Sequence, residues 1–205
     1  MGQDLVKGII LDFGGVFTKS RLREVVLRRC EPQLGLEKGE LRRLLFANDA
    51  WRAVSSGKAS AQDYWDHVTS ELAKVPPALE PFKYNPFAYE ELNQRVVRLA
   101  KRLRKRYRTA LCSNATLHLD TLLSDYGLRP VFDVIVNSAR VGLRKPDPQI
   151  YRLTAERMGL TVEQCLLVDD KERNTLAAEA LGMKAIVFRS AADLARQLDD
   201  RGITW

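Results

Sequence analysis

The feature that most constrains the fold is a set of short, continuous apolar runs, of which the first ends in an acidic residue. Residues 7–13 read KGIILDF, and Gly14-Gly15 breaks the run. Continuous rather than alternating hydrophobicity is typical of a strand that is covered on both faces, as in a parallel sheet. The run therefore predicts a buried strand that delivers Asp12 to the edge of such a sheet.

The second half of the chain alternates between strand and helix patterns. Further strands are predicted at residues 109–113, 134–137, 166–169 and 184–188. Helices are predicted between and after them, at residues 92–103, at 116–126, from Asp147-Pro148 to Gly159, at 174–181 and from Ser190 to Leu198. This alternation with short connections predicts an α/β fold with a Rossmann-like parallel sheet flanked by helices.

Residues 20–75 carry helical signals and no strand signals. Three groups of residues recur at helical spacing, and Ser60 with Asp63 forms a capping-box pattern before the third, which makes one apolar face. The three groups are Leu22, Val25, Val26 and Cys30; Leu41, Leu44, Leu45 and Asn48; and Tyr64, Trp65, Val68 and Leu72. Prolines at 76, 77, 81 and 86 predict a linker. We therefore expect an inserted all-helical cap domain at 18–87 and a core made of 1–17 and 88–205.

Composition bounds the class of protein. The chain has 205 residues, which suits one compact domain or a core carrying a modest insertion, and the 45% of residues that are hydrophobic predict a sizeable core. No apolar run approaches the roughly 20 residues that span a bilayer, and the N-terminus shows no cleavage-type segment and no myristoylation pattern. The cysteines at 30, 112 and 165 are expected to be reduced. These features predict a cytoplasmic location without a membrane partner.

The net charge of +7 favours anionic partners. The densest basic run, residues 101–108 (KRLRKRYR), is interpreted as a solvated helix end, where cations favour the negative end of the helix dipole. No motif typical of nucleic-acid binding accompanies it, so no nucleic-acid partner is expected. The oligomeric state is left open.

Polar groups gather where the predicted strands end. In open α/β sheets, ligands bind beyond the carboxyl ends of the strands. Three carboxylates, a hydroxyl, an amide and an ammonium are expected at that edge: Asp12, Asp169, Asp170, Ser113, Asn114 and Lys145. A carboxylate can attack phosphorus, while Mg²⁺, a Lys and a hydroxyl offset the repulsion between two anions. The pattern favours phosphoryl transfer.

Four segments then resemble the four motifs of the haloacid dehalogenase (HAD) superfamily. They are LDFGGV at 11–16, LCSNAT at 111–116, GLRKPDPQIY at 142–151 and LLVDDKERN at 166–174, in the same order as in that superfamily. The resemblance covers nearly the whole chain, and the helical insertion lies between the first two motifs, where the superfamily often carries a cap. It implies a phosphatase-type hydrolase that acts on a small phosphorylated metabolite, such as a sugar phosphate, through an aspartyl-phosphate.

The resemblance also implies roles for individual residues. Asp12 is the implied nucleophile, Ser113 with Asn114 holds phosphoryl oxygens, and Lys145 offsets negative charge. The implied Mg²⁺ ligands are Asp12, the backbone carbonyl of Gly14, Asp170 and, less directly, Asp169. Further candidates for contact with substrate are Gly15, Asn174, His118, Trp51 and His67, and Asp49 or His67 could assist proton transfer.

Gly14 departs from the usual motif. Most phosphatases of this superfamily have Asp there as general acid and base, a contribution on the order of 10²–10⁴-fold. The backbone carbonyl survives the change, but the proton-transfer group does not. We therefore expect good leaving groups, such as sugar 1-phosphates or acyl phosphates, to depend least on the missing carboxyl group.

Alternative interpretations remain for the whole chain and for single residues. A haloacid dehalogenase in the narrow sense needs no metal, and the Asp169-Asp170 pair argues against it. A non-catalytic binding protein is opposed by the intact Asp12, Lys145 and Asp170. His67, His118 and Trp51 could serve packing or surface roles alone. Basic residues that flank the motifs could form a funnel for an anionic substrate or be independent solvated charges: Lys19, Arg21, Arg140, Arg144, Lys171 and Arg173.

Overall fold

The computed structural model of the chain describes residues 6–205. Residues 1–5 lie outside the described residues. They belong to the predicted core segment 1–17 and to the N-terminal stretch for which no cleavage or myristoylation pattern is predicted. Seven strands are described: β1 (Gly8–Leu11), β2 (Thr18–Lys19), β3 (Glu91–Leu92), β4 (Arg108–Ser113), β5 (Val134–Asn137), β6 (Cys165–Asp169) and β7 (Lys184–Val187).

Eleven α-helices are described over the same range. They are α1 (Arg21–Cys30), α2 (Glu40–Phe46), α3 (Asp49–Val54), α4 (Ala61–Ser70), α5 (Pro81–Tyr84), α6 (Gln94–Leu103), α7 (Leu119–Asp125), α8 (Ser138–Val141), α9 (Pro148–Arg157), α10 (Glu172–Glu179) and α11 (Ala191–Asp199). A helical turn at Phe13–Phe17 is interrupted at its two glycines. Short 3₁₀ turns lie at Pro32–Leu34, Pro77–Leu79, Arg129–Val131 and Val162–Gln164.

Five strands form the predicted parallel sheet in the order β5-β4-β1-β6-β7. Strand β1 lies at its centre, parallel to β4 and to β6. All four residues of β1 are buried, as its continuous hydrophobicity predicts. Because the strands are parallel, the carboxyl ends of β4, β1 and β6 meet at one edge of the sheet.

The helices between β2 and β3 have a hydrophobic core of their own, and we call this segment the helical unit (residues 21–84). Its buried residues include Leu27, Leu41 and Trp65. The proline-rich segment predicted as a linker also belongs to this core, because Leu79 and Phe82 are fully buried in it. The apolar side chains there hold the segment against the helices.

A two-stranded antiparallel ribbon joins the two chain segments that lead into and out of the helical unit. Thr18 of β2 pairs with Leu92 of β3, and Lys19 pairs with Glu91. Residues 18 and 19 fall inside the predicted insertion but form a strand. Nothing in their sequence indicated this pairing, because the partner lies more than seventy positions away.

Two sequence predictions for the helical unit are wrong. The buried face of α1 contains Leu27 and Cys30 as well as Arg23, whereas Leu22 and Val25 are exposed. Helix α2 ends at Phe46 rather than including Asn48. The Asn48 side chain instead accepts a hydrogen bond from the Trp51 N–H and caps α3.

Several predicted caps are present. Ser60 and Asp63 form the capping box of α4, Asp147 caps α9 with Pro148 at its first position, and Ser190 caps α11. Helix α7 begins at Leu119, three residues later than the pattern indicated. No helix among residues 6–205 is long and apolar enough to cross a membrane.

Candidate active site

The parallel sheet brings the predicted site residues together at its carboxyl edge. Asp12 follows β1, Ser113 is the last residue of β4, and Asp169 is the last residue of β6. The backbone N–H of Asp12 donates to the carbonyl of Val168 at 2.9 Å, which fixes the loop after β1 beside the end of β6. Asp12 and Ser113 are both buried.

Lys145 lies between two of the carboxylates. Its Nζ is 2.9 Å from Asp12 Oδ1 and 2.5 Å from Asp169 Oδ2, and its side chain is buried. Burial alone would lower the pKa of Lys145, but Asp12 and Asp169 outweigh burial and raise it. The side chain is therefore an ammonium group that can offset charge on the phosphoryl group and on Asp12.

Asn114 fixes the loop that carries this lysine. Its Nδ2 donates to the Lys145 carbonyl and its Oδ1 accepts from the Lys145 N–H, both at 2.8 Å. This reciprocal pair uses both ends of the Asn114 amide, so we assign Asn114 to holding the loop.

Asp169 is occupied by protein groups on both oxygens. Oδ2 accepts from Lys145, and Oδ1 accepts from the Lys171 N–H and from Asn174 Nδ2, each at 2.9 Å. Burial raises its pKa, but Lys145 and these donors outweigh burial and lower it. Asp169 is thus an ionised anchor for Lys145 and has no unoccupied oxygen to offer a metal directly.

The chemistry of the site fits a divalent cation. One carboxylate oxygen from each of Asp12, Asp169 and Asp170 lies within 4.8 Å of the other two, although both oxygens of Asp169 already accept protein hydrogen bonds. Oδ1 of Asp170 is buried and has no hydrogen-bond partner among residues 6–205. Burial and the neighbouring Asp12 raise the pKa of Asp170 to about 6. A hard cation such as Mg²⁺ would relieve this repulsion and use the unpaired oxygen, with Asp12, Asp170 and the Gly14 carbonyl as its ligands.

The two glycines after Asp12 differ in whether a larger side chain would fit at their positions. Gly15 has φ = 81°, and a Cβ there would lie 2.6 Å from Asp170 Oδ2. The close approach of Asp170 therefore requires glycine at this position. Gly14 has an ordinary φ of −69°, and a Cβ there would meet only Phe87 Cε1, at 3.6 Å.

A cavity of about 140 Å³ covers this edge. It is lined by both the core and the helical unit, and most of the predicted site residues lie in its wall. The predicted members are Asp12, Gly14, Gly15, Trp51, Ser113, Asn114, Lys145, Asp170 and Asn174. His67, His118 and Asp49 are not among the lining residues.

Sequence reasoning missed a buried polar cluster on the side of the helical unit. Glu90, which precedes β3, accepts hydrogen bonds from Thr18 Oγ1 and from Arg23 Nη1. The Gly15 N–H in turn donates to Thr18 Oγ1 at 3.2 Å, so the cluster reaches the loop after β1 that carries Asp12. Glu90 and Arg23 line the cavity. The sequence signal for this cluster is an arginine at helical spacing with the buried Leu27 and Cys30. Several other arginines lie in the same helix, so Arg23 could not be distinguished from them by sequence.

Glu90 does not replace the carboxyl group that Gly14 lacks. Burial raises its pKa, the Arg23 guanidinium opposes this effect, and both carboxylate oxygens are bonded. Asp12, Glu90 and Asp170 are the carboxylates that line the cavity. None of them is a free proton donor beside Gly14 if Asp12 attacks phosphorus and Asp170 binds the metal.

Known proteins resemble the chain in sequence and in fold. The chain is 39% identical over 70 residues to fructose-1-phosphate phosphatase YqaB of Escherichia coli (strain K12), a match that covers 34% of this chain and 37% of that protein. It is 37% identical over 83 residues to phosphoglycolate phosphatase of Cereibacter sphaeroides, covering 40% of this chain and 37% of that protein. The matched segments span 13% to 37% of the first curated relatives.

The fold is also similar to that of a solved HAD family enzyme from Bacteroides thetaiotaomicron, in complex with magnesium and inorganic phosphate. The TM-score is 0.71 at 16% identity, and the match covers 90% of this chain and 94% of the other. The sequence model that describes the family of haloacid dehalogenase-like hydrolases matches residues 6–182 of this chain, and these residues contain all four motifs. The chain therefore belongs to the haloacid dehalogenase-like hydrolase family.

Proposed function

We propose that this hydrolase is a Mg²⁺-dependent phosphatase that acts on a small phosphorylated metabolite through a phosphorylated Asp12. The observation that carries the proposal is the pairing of Lys145 with Asp12 beside the unpaired oxygen of Asp170. This arrangement supplies a nucleophile, a fixed ammonium and a cation site within one small cavity. The named phosphatases among its relatives support the same class of reaction.

In the proposed first step, a carboxylate oxygen of Asp12 attacks phosphorus and the bond from phosphorus to the leaving oxygen breaks. Lys145 and the Ser113 hydroxyl hold phosphoryl oxygens as charge shifts. When bound, Mg²⁺ supplies positive charge that reduces the repulsion between the two anions. Water then attacks the phosphorus of the aspartyl-phosphate and releases inorganic phosphate and Asp12.

The missing carboxyl group at Gly14 shapes the expected substrate range. The leaving oxygen must take its proton from water or leave as a stable anion. Substrates with good leaving groups, including sugar 1-phosphates and acyl phosphates, should therefore react fastest.

We propose that residues 18–87, which contain the helical unit, are the cap over a core formed by residues 1–17 and 88–205. Phe46 and Trp51 of the helical unit line the cavity, and so does Phe87, which follows that unit and packs against Phe13. Their apolar surfaces would exclude water from the site before the reaction. Opening of the cap would admit the substrate.

The decisive experiment measures phosphate release from a broad panel of phosphomonoesters by wild type and by Asp12→Asn. Mg²⁺ should support activity and a chelator should abolish it. Asp12→Asn keeps the size of the side chain but removes the nucleophile, so activity should fall by about 10³-fold or more. Thermal unfolding of the variant serves as the control for folding.

Two results would contradict the proposal. If no phosphomonoester is hydrolysed, or if Asp12→Asn is as active as wild type, Asp12 is not a phosphatase nucleophile and a binding role is favoured. Release of halide from a haloacid without added metal would instead indicate a dehalogenase.

A further inference from the structure

A second cavity of about 550 Å³ adjoins the candidate active site. Arg144, Lys145 and Arg173 line both cavities, so the two share one wall. Its remaining lining comes from the end of α3 and the loop before α9: Arg52, Ala53, Ser56, Lys58, Gly142, Pro146 and Asp147. Five of these ten lining residues are cationic and one is acidic.

Apart from Lys145, which pairs with Asp12 and Asp169, the cationic residues of this second cavity are poorly matched by acidic groups within the protein. The one acidic residue of the cavity, Asp147, accepts the Gln149 N–H at the start of α9. Arg144 has no carboxylate partner among residues 6–205. Its Nη1 donates to the carbonyls of Trp51 and Arg52, at 3.2 and 3.1 Å, and to Ser55 Oγ. Arg52 has only a 3.9 Å contact with the exposed Asp49, and such pairs contribute little.

The guanidinium groups also repel one another. Burial lowers the pKa of Arg144, and the charges of Arg52 and Arg173 lower it further. The carbonyls at the end of α3 hold Arg144 in place, because a helix C-terminus attracts cations. A bound anion would relieve this repulsion, whereas a neutral group would leave it uncompensated.

The size of the first cavity points the same way. Pockets that hold whole small molecules commonly measure roughly 300–1,000 Å³, and the first cavity measures about 140 Å³. It can enclose a phosphoryl group and a few more atoms. The rest of a larger substrate must extend beyond it, and the wall that the two cavities share leads to the cationic side chains.

We propose that the second cavity binds a second anionic group of the substrate, a carboxylate or another phosphate. The substrate class is then a phosphomonoester whose leaving group carries its own negative charge. This inference rests on the proposed phosphatase function and narrows the substrate class. The phosphate ester of an uncharged sugar would leave Arg52, Arg144 and Arg173 without an anionic group from the substrate.

The kinetic test compares substrates that differ only in the second anion. They are a phosphorylated alcohol, the phosphorylated hydroxy acid of the same length and the corresponding bisphosphate. Wild type should show a kcat/KM at least about tenfold higher for one or both anionic substrates, since hydrogen bonds between charged groups are stronger than those between neutral groups. The carboxylate and bisphosphate arms show which anion the cavity prefers.

Variants assign that preference to the cavity. Arg52→Gln and Arg173→Gln should each lower the ratio of anionic to neutral kcat/KM by about fivefold, because each removes one cation from the wall. Both side chains are exposed, so the substitutions should leave the fold intact. Arg140→Gln is the matched control, because Arg140 lies nearby, pairs with Asp120 and lines neither cavity. It should leave the ratio unchanged.

A binding measurement keeps this inference separate from the phosphatase proposal. Calorimetry with Mg²⁺ compares an alkylphosphonate with a phosphonocarboxylate and a bisphosphonate, none of which is turned over. Stronger binding of an anionic analogue, lost in Arg52→Gln and Arg173→Gln, supports the second site even if no phosphomonoester is hydrolysed. Turnover or phosphonate binding without such a preference overturns the second site, whether or not the phosphatase proposal stands. Absence of all binding overturns it too.

Discussion

Single residues at the edge of the sheet divide the work of the site between them. Both oxygens of Asp169 accept hydrogen bonds from protein donors, one of which is Lys145. In contrast, Oδ1 of Asp170 is buried and has no hydrogen-bond partner among residues 6–205. Two adjacent carboxylates of the same type therefore differ in the oxygens they leave unpaired, because their surroundings differ. Gly15 leaves room for the Asp170 carboxylate, since a Cβ there would lie 2.6 Å from Asp170 Oδ2.

Gly15→Ala should lower the affinity for Mg²⁺ and the Mg²⁺-dependent activity by about 10–100-fold, the usual loss when groups that orient metal ligands are disturbed. The added Cβ would collide with Asp170 and would also have to adopt a positive φ. Gly14→Ala is the matched control, because its φ is ordinary and its Cβ meets only an aromatic edge at van der Waals distance. It should cost much less. Titration of Mg²⁺ into both variants checks this, and equal losses would contradict the steric explanation.

At the scale of elements, the ribbon of β2 and β3 and the first helix of the helical unit are joined by one buried ion pair. Glu90 bonds Arg23 of α1 and Thr18 of β2, and both charged side chains are almost inaccessible to solvent. The pairing explains why α1 turns Arg23 inward and leaves Leu22 and Val25 exposed. A buried arginine charge must be paired with an opposite charge. The pairing of Arg23 with Glu90 therefore sets the orientation of α1, although the hydrophobic pattern of the helix predicts that Leu22 and Val25 face inward.

Glu90→Gln should destabilise the protein by about 3 kcal/mol, because it leaves the buried Arg23 charge with only a 3.7 Å contact to the more exposed Glu24. Glu91→Gln, at the neighbouring exposed position, should change the free energy of unfolding by no more than about 0.5 kcal/mol. Urea denaturation of both variants measures the difference. The double substitution Arg23→Met with Glu90→Met should recover much of the loss, since it removes both charges. Equal stability of the two single variants would show that the pair contributes nothing.

At the scale of the whole molecule, the helical unit meets the part of the chain that contains the parallel sheet at a polar joint beside the candidate active site. Ser138 of α8 donates from its hydroxyl to the Ser55 carbonyl at 2.5 Å, and Arg144 bonds the end of α3. Gly57 lies against α8, because a Cβ on Gly57 would be 2.2 Å from the carbonyl oxygen of Ala139 in that helix. These contacts place the end of α3 and Gly57 directly against α8.

Gly57→Ala should therefore push the helical unit away from the core and lower kcat/KM by at least about tenfold, because displacements near 1 Å disturb the alignment of reacting groups. Gly35→Ala is the matched control: Gly35 also has a positive φ, 68° against 71°, but a Cβ there meets nothing within 4 Å. The two variants should share the cost of backbone strain and differ in activity. Steady-state kinetics and thermal unfolding of both variants separate the two effects. Equal activities would mean that this contact does not position the helical unit.

The sequence by itself predicted the α/β sheet, the residues at its carboxyl edge and the position of the helical segment. It could do so because strand hydrophobicity and helix caps depend on neighbours in the chain, and because parallel strands necessarily bring their carboxyl ends together. Asp12, Ser113 and Asp169 were assigned to one edge for that reason alone.

Only the tertiary structure decided which groups have unoccupied atoms and which face each other across the cavity. It separated Asp169 from Asp170, placed Arg23 against Glu90 and left His67 and His118 outside the cavity wall. It also gathered Arg52, Arg144 and Arg173 into one unmatched cluster, although they come from distant parts of the chain. Charge pairing and cavity shape depend on contacts between remote segments, and local sequence patterns carry no information about those contacts.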